Sequence, residues 1–123
     1  MTESGITIDF NEFSLTATLF DTPIARRFAK ALPVTVVFTR WGGEMYGSIG
    51  RDLGEETPVA DIPEGGIAYT SRGNYVCIFF GQRPAWPVDH IGQIDDARPL
   101  SVVIELLEQV ATDSFIIYPN GTS

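Results

Sequence analysis

Within Trp41-Gly42-Gly43-Glu44-Met45-Tyr46, a carboxyl stands between two aromatic rings. A carboxyl that loses hydration to aromatic neighbours titrates higher than usual, and it can then shuttle a proton or hold a cationic ligand. A hairpin position facing solvent is the competing expectation for Glu44. Trp41, beside two glycines, suits a core plug or the lip of a pocket equally well. His90 follows Asp89, a pair with the chemistry of a general base and its orienting partner. Neighbouring strand residues point to opposite faces, so that pair works together only in a loop, and a surface histidine is the plainer expectation. Cys77 lies in the apolar run Tyr75-Val76-Cys77-Ile78-Phe79-Phe80, where a buried thiol is expected. No serine or cysteine sits in a nucleophile elbow, and one histidine with one cysteine is too few soft ligands for zinc. Gly42, Gly43, Gly65 and Gly66 lack the strand-to-helix setting of a phosphate cradle. No metal and no cofactor are expected.

These side chains must be positioned by a chain of 123 residues, 44% of them hydrophobic and 20% charged, a composition that predicts one folded domain over 1–123. Sixteen acidic against eight basic residues leave a net charge of -8. That field repels phosphate backbones and anionic lipid, so neither nucleic acid nor membrane is an expected partner. The single cysteine cannot form an internal disulfide, and Met1-Thr2-Glu3-Ser4-Gly5 lacks the basic, then apolar, pattern of a secretory leader. A cytoplasmic location is the expectation. The acidic stretch from Asp52 to Glu64, broken by Pro58 and Pro63, reads as a solvated surface loop.

Alternation of Ile6, Ile8 and Phe10, then of Leu15, Ala17 and Leu19, predicts a hairpin with one buried face. Asp21 or Thr22 offers an N-cap, Pro23 a first-turn residue, and Ile24, Phe28 and Leu32 a helical stripe ended by Pro33. The β-branched run from Val34 to Thr39 predicts a strand that pairs, across the glycine turn, with the segment around Met45. Ile67 to Tyr69 and Val76 to Phe80 predict two strands joined at Ser71-Arg72-Gly73-Asn74. Ile91 to Ile94 adds a strand, Asp95 or Asp96 caps a helix bearing Leu100, Val103, Ile104, Leu107 and Val110, and Ser114 to Tyr118 closes the chain as a strand. About seven or eight strands with two helices is too many for a simple two-layer sheet, so the fold class is mainly β, a small closed barrel with two short capping helices.

Several motifs in this order resemble the small cyclophilin-like domains of prokaryotes, a family of compact barrels. Trp41-Gly42-Gly43-Glu44-Met45-Tyr46 resembles its W-G-x-E-x-Y hairpin, and Gly66-Ile67-Ala68-Tyr69 with Gly73 its G-x-x-Y strand and turn. Phe79-Phe80-Gly81 with Pro84, and Ile91-Gly92-Gln93-Ile94, are similar to its F-F-G and I-G-x-I segments. Arg83-Pro84-Ala85-Trp86 departs from the family, which often has hydroxyl residues around that proline, and no Q-G-G-D signature is present. The resemblance implies a cyclophilin-like barrel, with a groove that takes a small apolar ligand or a peptide segment. Trp41, Glu44, Met45, Tyr46, Tyr69, Phe80, Trp86 and His90 are the expected lining. Phe38-Thr39-Arg40 resembles the F-x-R of prolyl isomerases. An enzyme lowering the barrier of about 20 kcal/mol to prolyl rotation needs a donor at the imide, and Arg40 is the candidate catalytic residue of that rival reading. A non-catalytic module that self-associates or interacts through exposed aromatics is the third, and the oligomeric state is expected to be a monomer or a homodimer.

Overall fold

A computed structural model describes residues 3–120. Met1 and Thr2, part of the segment read for a leader, lie outside the described residues. The elements run β1 (Ser4–Asp9), β2 (Ser14–Leu19), α1 (Pro23–Ala31), β3 (Val34–Val37), β4 (Thr39–Trp41), β5 (Glu44–Ser48), β6 (Gly66–Thr70), β7 (Tyr75–Phe79), β8 (Asp89–Ile94), α2 (Leu100–Glu108) and β9 (Ser114–Pro119). All nine strands join one antiparallel sheet in the order β3-β9-β1-β2-β8-β6-β7-β5-β4. Its two outermost strands, β3 and β4, are separated in sequence only by Phe38. The sheet therefore curls into a nearly closed, mainly β barrel whose ends meet where the chain itself passes between them.

The run from Val34 to Thr39 is two strands and not one. Val34–Val37 pairs with β9, and Thr39–Trp41 pairs with Glu44–Tyr46 across the glycine turn. The break falls at Phe38, whose N–H donates to the Asp113 carbonyl at 3.0 Å and whose ring stacks on Phe115 at 5.4 Å. Burying Val36 and docking Phe38 on that side leaves the following residues free to cross to β5. At the crossing Gly47 faces the Val37 carbonyl, and a Cβ at Gly47 would lie 2.4 Å from that oxygen. Only a residue without a side chain permits so close an approach.

The alternating residues of β1 and β2 point inward as the sequence predicts, and Ile6, Ile8, Leu15 and Leu19 are buried. In α1 the Thr22 hydroxyl accepts from the Ala25 N–H, Pro23 takes the first turn, and Ile24, Ala25 and Phe28 face the barrel. The start of α2 departs from expectation. Pro99 precedes it without a side-chain cap. Asp95 and Asp96 do not cap it because Asp96 is held elsewhere, accepting from the Thr16 and Arg98 N–H groups and, at 2.8 Å, from the Arg98 guanidinium. Those donors hold its carboxyl well below the usual carboxylate range.

The segment 49–65 is more than a solvated connection. Leu53 and Ile62 are buried, and a bridge joins Val59 to Val88. The hydroxyl of Tyr69, a fully buried residue, accepts from the Leu53 N–H at 2.8 Å and lies 3.0 Å from the Arg51 carbonyl and 3.1 Å from Asn74 Oδ1. Tyr69→Phe orphans the Leu53 amide and is expected to cost about 1–2 kcal/mol. Hydrogen exchange at Leu53 checks this, since protection equal to wild type there would show that the loop is held by something else. Among the described residues no helix is long and apolar enough to cross a membrane.

Candidate functional site

Side chains alternate across a strand, so the wall β4-β5-β7-β6 has an inner and an outer face. Met45, Ile67, Tyr69, Val76 and Ile78 point inward and join the barrel core. Their neighbours point outward, and the register brings them level: Tyr46 opposite Cys77, Ala68 opposite Cys77, and Thr70 opposite Tyr75. All of these but Thr70 join Ile62, Phe79, Val88 and Trp86 in a second apolar cluster outside the barrel.

Residues 82–88 cross this outer face as a strap. Gln82 Oε1 accepts from the Gly43 N–H at 3.0 Å, and Arg83 pairs with Asp61 at 2.6 Å. Val88 exchanges two backbone hydrogen bonds with Val59. Trp86 is fixed from two directions, by its indole N–H donating to Thr70 Oγ1 at 2.9 Å and by the Arg72 guanidinium 4.3 Å from the ring centroid. Beneath the strap is a cavity of about 300 Å³, lined by Trp41, Glu44, Tyr46, Thr70, Tyr75, Cys77, Pro84, Ala85, Trp86 and Val88. That volume is at the lower end for small-molecule sites. Tyr46 and Tyr75 meet edge to face at 5.0 Å, and Trp41, half exposed, stands at the lip.

Glu44 supplies the cavity's one carboxyl and is 6% exposed. Its polar partner is the Cys77 thiol, which donates to it; the weak hydrogen bond only partly offsets desolvation, so the carboxyl is pushed up to about 7. Burial, and then the Glu44 charge, push the thiol well above its ordinary value. Cys77 is a neutral donor here, not a nucleophile.

Of the residues singled out in the sequence, Trp41, Glu44, Tyr46 and Trp86 converge on the cavity. Met45, Tyr69 and Phe80 do not: strand alternation turns Met45 and Tyr69 to the other face of the sheet, and all three are buried in the barrel core. Arg40 also lies elsewhere, because its guanidinium donates to the Glu108 carbonyl and, at 2.9 Å, to the Val110 carbonyl. It satisfies carbonyls left open at the end of α2, as a cation does at a helix C-terminus. His90 packs edge to face on Phe20 at 4.8 Å, its Nε2 buried without a partner. Burial lowers its pKa, so the ring is neutral at pH 7. Asp89 does not orient it, since that carboxylate accepts from the Glu56 and Thr57 N–H groups and pins the 49–65 segment. The cavity residues that the sequence reading missed are Thr70, Tyr75, Cys77, Pro84, Ala85 and Val88. Tyr75 and Cys77 carried a signal in their period of two, whereas nothing local marks the strap.

The sequence matches the cyclophilin-like family over residues 4–112. No curated protein matches it. The solution structure of the hypothetical protein AF2241 from Archaeoglobus fulgidus is similar, with 27% identity, a TM-score of 0.75, and coverage of 97% of this chain and 96% of that one. The structure of McbB in complex with tryptophan shares the fold at 12% identity and a TM-score of 0.78. Its match covers 96% of this chain but 45% of McbB, so the common barrel is less than half of that protein. Motif order, barrel topology and the family match agree: this chain belongs to the cyclophilin-like family.

Proposed function

We propose that this protein binds a small ligand with an apolar, ring-bearing body in the cavity between the β5-β7-β6 wall and the strap. The observation that carries the reading is Trp86, held in place by Thr70 and Arg72 beside a space walled by Tyr46, Tyr75 and Trp41. Rings fixed before the ligand arrives lose little freedom on binding, which is how a small site gains affinity. McbB, a protein of the same fold, was determined in complex with tryptophan; that fact concerns McbB and guides only the choice of first compounds.

A panel of indole and phenyl compounds, titrated while the indole N–H resonances of Trp41 and Trp86 are followed, is expected to shift both saturably. Ala85→Phe fills the cavity from the strap and is expected to abolish the shifts, and Trp86→Ala to weaken binding about tenfold or more. Absence of a saturable shift, or full binding by the filled variant, overturns the reading.

A further inference from the structure

One group in the cavity has no charged counterpart, the carboxyl of Glu44. It stands on a strand whose neighbours on that face are rings and a thiol, at 6% exposure. A buried carboxylate is costly unless paired, and the Cys77 hydrogen bond is a weak offset. No cation among the described residues pairs with it. Arg72 lies on the Trp86 ring, Arg83 on Asp61 and Arg40 on the end of α2. Meanwhile the same space is walled by Trp41, Tyr46, Tyr75 and Trp86, whose π faces carry the negative end of the ring quadrupole. Charge and rings therefore favour the same occupant, and the net charge of -8 enriches cations around the molecule.

We infer that the ligand of this cavity is an organic ammonium on an apolar body, with Glu44 as its counter-ion and the surrounding rings as its cage. The inference rests on the proposed ligand-binding role and adds the sign of the charge. The titratable groups that line the cavity with Glu44 are Cys77 and Tyr75 from β7 and Tyr46 from its own strand, and the Arg72 guanidinium, which is not part of the lining, lies on the Trp86 ring. None of the cavity-lining groups supplies the missing positive charge.

Matched compounds of one shape test it: tryptamine as the cation, tryptophol as the neutral alcohol and indole-3-acetate as the anion, each titrated at about pH 8. A second pair, 2-phenylethylamine and 2-phenylethanol, covers a smaller ring. The amine is expected to bind about tenfold tighter than its alcohol, and the anion weakest. Glu44→Gln is expected to remove the preference for the amine while retaining the alcohol. Equal affinity for amine and alcohol, or a preference that survives Glu44→Gln, overturns the charge assignment and leaves the cavity as a ligand site. Saturable binding by none of the five removes the ligand-binding reading, and this inference with it. The wild-type series alone decides the matter if the variant does not fold.

Discussion

Gly47→Ala is expected to destabilise the fold by more than about 3 kcal/mol, the largest single effect of the substitutions considered. The added Cβ would sit 2.4 Å from the Val37 carbonyl oxygen and 2.5 Å from Val36 Cγ1. The first is backbone and the second belongs to a fully buried side chain, so neither yields cheaply. Relief requires β3 and β5 to separate at the point where the barrel ends meet. Against a typical domain stability of about 5–15 kcal/mol, such a loss removes a large share. Gly81→Ala is the matched control, since its nearest neighbour is an ordinary 3.6 Å away, and a change within about 1 kcal/mol is expected. Denaturant titration of both variants measures the difference. A Gly47→Ala protein as stable as the control would mean that the barrel ends do not touch.

The second large effect depends on pH. Burial raises the Glu44 pKa from an ordinary 4.5 to about 7, so the folded state holds a proton that the unfolded chain releases earlier. Such a group is neutral to stability below about 4.5, and destabilises progressively as pH rises toward 7. Above that the loss is complete, about 2–3 kcal/mol after allowance for partial solvation at the cavity mouth. Glu44→Gln cannot ionise, and its amide oxygen still accepts from the Cys77 thiol. The variant is expected to match wild type near pH 4.5 and to melt about 10 °C higher near pH 8. The lowered Asp96 carboxyl and every other acid group cancel in that comparison. Equal melting temperatures at both pH values would show that Glu44 is well solvated, and would remove the reason for expecting a charged occupant.

Much of the barrel was legible because its signals are local. The period of two in Ile6-Ile8-Phe10 and Leu15-Ala17-Leu19, the Thr22-Pro23 helix start and the Ser71-Arg72-Gly73-Asn74 turn each depend on a few neighbouring residues. What failed was long-range. Nothing within Val34 to Thr39 says that its first half belongs with residues about eighty positions later and its second half with the next turn. The same limit governs Asp96, whose partner on β2 is fixed only by tertiary folding. The site lies between these cases. Met45 cannot share a face with Glu44 and Tyr46, because consecutive strand residues alternate between faces. Applying that rule separates Met45 from the other two and points to Tyr75 and Cys77. The strap escaped notice because its attachments, to Gly43, Asp61, Thr70 and Val59, are all distant in sequence.

The position of β9 constrains how the molecule can be made. It lies between β1 and β3 and supplies the pairing partner of each, so neither is bridged to the other until residues 114–119 are in place. During synthesis the early hairpin can form as it leaves the ribosome, but β3 waits without its pairing partner until β9 is delivered. Completion of the cylinder therefore waits for residues 114–119 to leave the ribosome, and a nascent chain arrested before Ser114 should expose those waiting strands to chaperones.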